Sequence, residues 1–295
     1  MSSSSVKMSG SPVKTSTSSA KPATQRGSYA ATHFILAVGG VLMIFPFVWQ
    51  IIMSLSTNNQ VTSVPPTFWP GTFQWENFTK VFEQIPFLDQ FWVSVSITVL
   101  RTLGQLIICS LAGYAFARMQ FPFKRIIFGL VLAILMVPSE VYMIPQYQII
   151  QSLGLLNTIA GIVLPGIFGA FGAFLMTQFF RAIPRELEEA ARLDGCNPWQ
   201  IYVRIMLPLV KPGLSALAIL TIVWSWNDLL WPLVVTTDDT KMPLTVGLAS
   251  LQGQYTTDYA VLMAASTMAV APIIILFIFM QRRVIDGIAS SGLKG

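Results

Sequence analysis

Six long apolar segments are the feature of this sequence that most constrains its fold. A membrane-spanning helix needs about 20 mostly apolar residues, and a window of that length finds the segments 33–55, 91–116, 126–150, 158–180, 208–235 and 260–280. Backbone polar groups have no water to bond inside a bilayer, so single spans of this length must be helical. The sequence therefore predicts an all-α integral membrane protein with six transmembrane helices. In the fourth segment Gly166, Gly169 and Gly172 predict close packing against a neighbouring helix.

The composition excludes a soluble enzyme. Of the 295 residues, 54% are hydrophobic and only 11% are charged, whereas a soluble domain carries roughly 25% charged residues. The single histidine, His33, and the two cysteines, Cys109 and Cys196, lie in separate segments. They do not supply the usual parts of a zinc site, a disulfide or a Ser/His/Asp triad. We therefore expect no catalytic residue, no metal site and no cofactor bound by this chain.

The basic residues predict the orientation of the helices, because cytoplasmic connectors carry the excess of Lys and Arg. Of the 18 basic residues, 15 fall at the chain ends or in and beside every second connector. The alternate connectors, 56–90 and 236–259, hold only Lys80 and Lys241, and Arg101 lies within the second segment. We therefore predict cytoplasmic termini and small extracytoplasmic caps formed by these two connectors. This orientation accounts for the net charge of +5, so no nucleic-acid partner is expected.

The connector at 181–207 has the pattern of two short helices joined by a glycine. Gly195 suits the position after a helix where φ is positive, and Asn197 suits the cap of the next helix. One face of the first helix carries mostly small side chains, from Leu187, Ala190, Ala191 and Asp194. Such a face permits close approach by another protein surface. A solvated helix lying on the bilayer is the alternative, and these residues leave both open.

The same connector resembles a known signature. Glu189-Ala190-Ala191, Gly195, Ile205 and Leu207-Pro208 match every position of E-A-A-x3-G-x9-I-x-L-P, the EAA motif of permease subunits of bacterial binding-protein-dependent ABC importers. Cys196 departs from the family, in which alanine is usual there, and Val93-Ser94 replaces a common Asn-Ser. Five further stretches are similar to the carbohydrate-uptake branch, and above all to the smaller permease of the maltose type: LAGYAFAR (111–118), GLLN (154–157), QFFRAIPRELEEAARLD (178–194), WNDLLWPL (226–233) and SGLKG (291–295).

The resemblance implies a type I ABC importer permease fold over residues 29–295, with a core translocation region at about 88–282. Residues 1–28, rich in Ser, Thr, Lys and Pro, are predicted to form a disordered cytoplasmic tail. In that family the EAA connector, between helices 4 and 5, is a coupling helix that docks on an ATPase. The resemblance thus assigns ATPase coupling to Leu187, Glu189, Ala190, Ala191, Asp194, Gly195, Ile205, Leu207 and Pro208.

The resemblance also implies partners: a second homologous permease, two ATPase subunits and an extracytoplasmic solute-binding protein, besides membrane lipid. A P-loop requires a Gly-Lys pair, and the chain has none. ATP and magnesium are therefore expected on the partner ATPase.

Polar residues inside the apolar segments are candidates for a solute pathway. Glu140 lies in the third segment, and Trp226, Asn227 and Asp228 lie towards the outer end of the fifth. A charge in lipid is costly unless it faces a cavity or a partner. The tryptophan belongs either to an interfacial belt or to a surface on which a hydroxyl-rich solute stacks. Glu140 is alternatively predicted to pair with Arg101.

The main interpretation is a multi-pass permease subunit of the bacterial cytoplasmic membrane that translocates a sugar or related polyol by alternating access. A self-sufficient secondary transporter is the alternative. It needs internal repeats and ion-coupling carboxylates near the midplane, and Glu140 and Asp228 are the only candidates. An intramembrane enzyme is a third class, which the missing catalytic groups disfavour.

Overall fold

The computed structural model describes residues 24–65, 68–253 and 256–292, and side chains within 32–279. These residues form helices and turns without a β-strand, as the all-α prediction requires. Two compact units divide the chain, one ending at Trp49 and the other beginning at Gln50. The α-helices are α1 (Thr24–Ser54), α2 (Asn58–Thr62), α3 (Glu76–Gln84), α4 (Phe87–Arg118), α5 (Lys124–Ile134), α6 (Met143–Ser152), α7 (Ile159–Val163), α8 (Ala170–Arg181), α9 (Glu186–Leu193), α10 (Pro198–Gln200), α11 (Leu207–Leu209), α12 (Lys211–Trp226), α13 (Leu230–Val235), α14 (Leu244–Ser250) and α15 (Tyr259–Gly292).

Two predictions at the chain ends fall partly outside this description. Residues 1–23 of the predicted disordered tail lie outside the described residues, and residues 24–28 already belong to α1. The last three residues of the SGLKG stretch also lie outside them.

Three described helices are long and apolar enough to cross a membrane: Thr32–Ser54 within α1, α4, and Tyr259–Phe279 within α15. The third and fourth predicted segments, 126–150 and 158–180, correspond to bent helix pairs, whereas the remaining bent pair, Pro198–Leu209 with α12, begins inside the connector 181–207 and covers only part of the predicted fifth segment, 208–235. The bends are 100° between α5 and Ser139–Ser152, 46° between Ile159–Gly166 and α8, and 74° between Pro198–Leu209 and α12. The described residues therefore contain three continuous spans, or up to six if each bent pair is one span.

Prolines explain where these segments bend, because proline lacks an N–H and its ring clashes with the carbonyl four residues earlier. Pro138 separates α5 from a 3₁₀ turn at Ser139–Tyr142, and Pro165 lies in the 3₁₀ turn Leu164–Gly166. A π-helix, Ile201–Met206, precedes Pro208, and its wider turn suits a chain that is about to lose a backbone donor. Pro272, by contrast, lies inside α15 without ending it.

The centre of the second unit is α4, which packs against α8 and α12. The helix backbones approach closely at glycines. A Cβ on Gly113 would lie 2.5 Å from the Cβ of Met176, and one on Gly172 would lie 2.9 Å from Cys109 Sγ. The predicted packing role of the fourth-segment glycines is confirmed, because α4 is the neighbour that their missing side chains admit.

Buried side chains form three clusters in this unit. At the end of the bundle that carries residues 181–207, here called the connector end, the core includes Tyr114, Phe180 and Tyr202. A second cluster surrounds Ile162 and Trp231. The third, around Trp226 and Val261, lies at the opposite end, here called the cap end.

The two connectors at the cap end are folded, as the predicted caps require. The buried amide of Asn77, in α3, donates to the carbonyls of Ser54 and Ser56, each at 2.9 Å. The backbone N–H of Leu244, at the start of α14, donates to Ser94 Oγ at 2.7 Å. The bonds of Asn77 fold the first connector back on the end of α1, and the bond to Ser94, in the first turns of α4, attaches the second connector to the bundle.

Candidate functional site

The connector at 181–207 folds as two short helical stretches with a sharp reversal at Gly195. Gly195 has φ +82°, its N–H donates to the Arg192 carbonyl at 3.0 Å, and the Cys196 N–H donates to the Ala191 carbonyl at 2.9 Å. This pair of bonds is a Schellman motif, which satisfies carbonyls at the end of α9. The Asn197 side chain then caps α10 in a capping box with Gln200. Both conformational predictions for this connector are confirmed.

Only part of the predicted small face of α9 is exposed. Ala191 is buried in the core at the connector end, whereas Leu187 and Ala190 are exposed and Leu193 is 89% exposed. The prediction that Ala190 and Ala191 together offer one free face is therefore wrong. The two positions are 100° apart around a helix, and the bundle covers one of them. Glu189, Asp194 and Gly195 are exposed.

Buried charge fixes α9 to the bundle. Glu188, on the same side as Ala191, lies with its Oε1 3.2 Å from Arg118 Nε at the end of α4. Arg118 also donates to the carbonyls of Phe180, at 2.6 Å, and Ile183. On the outer side Arg192 reaches Glu188 Oε2 at 3.5 Å. Arg118 and Glu188 were not predicted as partners of each other, although both belong to stretches that resemble the importer family, 111–118 and 178–194.

The remaining coupling candidates join the connector to the next helix. Ile205 and Leu207 are half-buried and pack against the core at the connector end, and Pro208 is exposed. In the π-helix between Gln200 and Leu207, Tyr202 is buried, and its hydroxyl shares a 2.7 Å hydrogen bond with Ser110 of α4. These residues therefore attach the second half of the connector to α4 and α12.

A cavity of about 430 Å³ lies towards the cap end, beside the helix breaks at Pro138 and Pro165. Its wall includes Arg101 of α4 and the polar side chains of Ser139, Tyr142, Gln146, Asn227 and Asp228. Arg101 Nη1 lies 2.7 Å from Asp228 Oδ2, and the two side chains are 9% and 23% exposed. The two charged groups that the described residues contribute to this wall thus neutralise each other.

Side chains from other helices satisfy the carbonyls that the break at Pro165 leaves free. Pro165 has no N–H to offer Gly161, and the Gly161 carbonyl instead accepts from Trp231 Nε1 at 3.2 Å. Arg101 Nη2 donates to the Ile162 carbonyl at 2.6 Å, and Gln105 Nε2, one turn further along α4, donates to the Gly166 carbonyl at 2.9 Å. Non-helical backbone at membrane depth needs partners of this kind.

The four pathway candidates do not share one location. Asn227 and Asp228 line the cavity. Glu140 is exposed on the 3₁₀ turn and accepts from Ser139 Oγ at 3.1 Å. Trp226 is buried, donates to the Ala269 carbonyl at 3.2 Å and packs edge-on against Phe91. Their part in solute passage stays a prediction.

The predicted pairing of Arg101 with Glu140 is wrong, because Arg101 pairs with Asp228. The 100° bend that follows Pro138 redirects the third segment, and hydropathy does not report such a bend. Arg101 itself, together with Gln105 and Trp231, was not among the predicted site residues. The available signal for two of them was the spacing of Arg101 and Gln105, which places both on one side of α4.

Asn157, the last residue of the GLLN stretch, ties two connectors together. It adopts φ +57°, and its Oδ1 accepts from the backbone N–H groups of Thr237 at 2.6 Å and Asp238 at 3.1 Å. Its own N–H donates to the Val235 carbonyl at 2.9 Å. Next to it, hydrogen bonds from Thr240 and the ion pair with Lys241 lower the pKa of the exposed Asp238 carboxyl.

A helical bundle with several apolar spans, a polar cavity near one end and a folded helical connector at the other is the architecture expected of a membrane transport subunit. The chain belongs to the family of binding-protein-dependent transport system inner membrane components, whose profile matches residues 106–289. It is thus a permease subunit of an ABC importer, and ATP hydrolysis in such a system is performed by a separate subunit. Membership of this family excludes the two alternative interpretations, a self-sufficient secondary transporter and an intramembrane enzyme.

Several relatives extend the similarity over most of the chain. The arabinooligosaccharides transport system permease protein AraQ of Halalkalibacterium halodurans is 39% identical over 261 residues, covering 86% of this chain and 92% of the relative. The lactose transport system permease protein LacG of Rhizobium radiobacter is 34% identical, with 88% and 94% covered. The sn-glycerol-3-phosphate transport system permease protein UgpE of Salmonella typhi is 32% identical, with 90% and 98% covered.

Solved structures show the same fold. A chain of a bacterial ABC transporter involved in the import of the acidic polysaccharide alginate superimposes with a TM-score of 0.77, at 24% identity, covering 89% of this chain and 98% of that one. A chain from a bacterial alginate ABC transporter in complex with an alginate pentasaccharide-bound periplasmic protein gives a TM-score of 0.60, at 12% identity, with 90% and 98% covered.

Proposed function

We propose that this permease subunit imports a neutral carbohydrate or related polyol across the bacterial cytoplasmic membrane. The observation that carries the proposal is the cavity at the Arg101–Asp228 pair. Its amide, hydroxyl and carboxylate groups beside Trp231 suit a solute rich in hydroxyls. Relatives named for arabinooligosaccharides and lactose support this class. Because Asp228 already neutralises Arg101, the cavity offers no free cation to a phosphate ester.

The exposed side of α9 is the proposed docking surface for the ATPase. Leu187, Ala190 and Leu193 are apolar and exposed on a short helix outside the predicted spans, and apolar side chains grouped in this way favour a protein partner. Glu189 and Asp194 provide charges beside them. The opposite side of the helix, with Glu188 and Ala191, holds it on the bundle, so that force on α9 moves α4 and α8.

The continuity of α4 supports alternating access, because one unbroken helix links the connector that would receive the force to the cavity that would open and close. Arg118, which anchors α9, and Arg101, which lines the cavity, lie on the same unbroken helix. Seventeen residues at 1.5 Å each separate them by about 25 Å along its axis. A displacement of the connector therefore reaches the cavity without passing through a flexible loop.

The proposed assembly contains a second homologous permease, two ATPase subunits that bind ATP and magnesium, and an extracytoplasmic solute-binding protein. Its orientation, with both termini in the cytoplasm and six spans, is supported by the distribution of Lys and Arg. This topology places 181–207 where a cytoplasmic ATPase can reach it, and the caps where a binding protein can.

Reconstitution of the purified assembly in liposomes tests the function. With ATP inside and binding protein outside, we expect uptake of a neutral oligosaccharide or polyol, and little uptake of a glycerol phosphate. Removing either the ATP or the binding protein should abolish it. Uptake driven by an ion gradient without the ATPase would contradict the mechanism, and preferential uptake of the phosphate ester would contradict the solute class.

A further inference from the structure

A second cavity, of about 690 Å³, lies at the connector end and is bordered by four basic side chains. Lys124 and Arg125 come from the first turn of α5, Arg181 from the end of α8, and Arg185 from the start of α9. Among the residues whose side chains the structure describes, those that line the cavity include no Asp or Glu. Two chain segments about 60 residues apart therefore bring like charges together around one space.

These charges are not neutralised within the part of the chain that the structure describes. Its ion pairs involve Arg101, Arg118, Arg192 and Lys241, and none of the four cavity residues. Lys124 Nζ donates to the Met119 carbonyl at 2.7 Å, and the Arg181 guanidinium lies 5.5 Å from the centre of the Phe128 ring. Neither contact supplies a negative charge.

The start of α5 adds to the positive potential. The residue before it, Phe123, has φ +58° and offers no side-chain cap. The first N–H groups of an uncapped helix carry partial positive charge. In this helix they lie beside the side chains of Lys124 and Arg125.

The rim of the cavity is apolar and exposed. Phe123 is 73% exposed and Ile126 is 60% exposed, and Phe121 also lines the space. Phe116 and Ile126 belong to α4 and α5, near the ends of two predicted spans. Charges next to exposed apolar side chains at the end of a span match the two parts of a lipid, a headgroup and an acyl chain.

We propose that this cavity binds the phosphodiester headgroup of an anionic phospholipid. The four cations surround the phosphate, and Phe123 and Ile126 contact the start of its acyl chains. Basic pockets between helices on the cytoplasmic side of a membrane recognise anionic headgroups through such charges. Bound lipid also relieves the mutual repulsion of Arg181 and Arg185, which flank the segment leading into α9.

Native mass spectrometry of the purified importer, assembled with its ATPase, tests the site. The complex is titrated with phosphatidylglycerol, and with phosphatidylcholine of the same acyl chains. We expect phosphatidylglycerol to bind tightly and phosphatidylcholine to bind at least tenfold more weakly. The double variant K124Q/R125Q should lose about 25-fold in affinity for phosphatidylglycerol, about fivefold for each charge removed. Millimolar inorganic phosphate should not displace the lipid.

The matched control is R204Q/K211Q, which removes two exposed basic side chains at the same end of the bundle but away from the cavity. We expect less than a twofold loss for it. Equal losses in both double variants would overturn the site, as would equal affinity for the two lipids. Displacement by phosphate would assign the cavity to a free anion. Binding of phosphatidylglycerol to the permease pair freed of its ATPase, but not to the assembled importer, would assign the four cations to the ATPase interface. If K124Q/R125Q fails to assemble, the two wild-type titrations and the phosphate competition still decide between these outcomes.

Discussion

Arg118 and Glu188 form an ion pair whose two side chains are only 5% and 6% exposed, with 3.2 Å between Nε and Oε1. The pair connects the last residue of α4 to the first turn of α9, and Arg118 additionally binds two carbonyls, one in the last turn of α8 and one just beyond it. Because two buried charges are retained where the connector meets the bundle, the position of α9 is set by electrostatics as well as by the packing of Ala191.

Breaking this pair should destabilise the subunit strongly. Replacing Arg118 with Ala, or Glu188 with Ala, leaves one buried charge without its partner, which costs about 3–5 kcal/mol. Thermal unfolding of the purified assembly should show the loss. Arg192→Ala is the control, because Arg192 is 60% exposed and an exposed pair is worth about 0.5 kcal/mol. The double variant Arg118→Met with Glu188→Leu should be more stable than either single alanine variant. A double variant that is destabilised by the sum of the two single losses would contradict the conclusion that the unpaired buried charge causes the instability.

The Arg101–Asp228 pair should control the cavity. Asp228→Asn removes the neutralising charge, and we expect a cost of about 2 kcal/mol and a large fall in uptake. Arg101→Lys should also lose uptake. A single ammonium group cannot reproduce the contacts that the forked guanidinium makes to both Asp228 and the Ile162 carbonyl. Transport assays at matched protein abundance measure this. Normal uptake by Asp228→Asn would exclude the pair from the pathway.

A glycine substitution gives an independent test of the same cavity. A Cβ on Gly166 would lie 2.8 Å from Arg101 Nε, so Gly166→Ala must displace the guanidinium from its partners. Uptake should fall as it does for Asp228→Asn. Gly129→Ala, at a helical position with open space around it, is the control and should transport normally. Equal activity of the two alanine variants would show that the position of Arg101 is unimportant.

A comparison of alanine variants at two glycines with positive φ distinguishes backbone strain from loss of coupling to the ATPase. Gly195 (φ +82°) and Gly154 (φ +68°) both have open space where a Cβ would point, so alanine at either position should cost roughly 1 kcal/mol of strain. Only Gly195→Ala should weaken retention of the ATPase and reduce solute-stimulated ATP hydrolysis, because Gly195 borders the proposed docking surface. Co-purification and ATPase assays compare the two. Equal losses of ATPase retention and hydrolysis in the two variants would show that backbone strain, and not coupling to the ATPase, causes the defect.

Labelling with a membrane-impermeant thiol reagent tests the orientation. After Cys109 and Cys196 are replaced by Ser, Asp239→Cys at the cap end should react in intact cells. Leu193→Cys, 89% exposed in the connector, should react only in opened vesicles, prepared from cells that lack the ATPase subunit so that the proposed docking surface is uncovered. Reaction of Leu193→Cys in intact cells would reverse the topology.

The sequence was sufficient to predict the features that depend on local composition and on neighbouring residues. Segment hydropathy predicted the helical class, because a lipid environment tolerates almost no other backbone. Gly195 and Asn197 predicted the reversal in the connector, because positive φ and helix capping are properties of single residues and their neighbours. The glycines of the fourth segment likewise predicted close helix packing.

Contacts between distant residues required the tertiary structure. Ala190 and Ala191 look equivalent in the sequence, yet the bundle buries one and leaves the other exposed. Glu140 and Asp228 were both available as partners for Arg101, and the bend after Pro138 excluded the first. Trp231 and Gln105 gained their roles from carbonyls freed by the break at Pro165, which lie 70 and 61 residues away from them along the chain. The sequence alone thus determined the helical membrane class and the local turns, since these follow from short-range energies. The pairing of charges and the exposed side of α9 were decided only by the tertiary structure, because they depend on how bent helices meet in space.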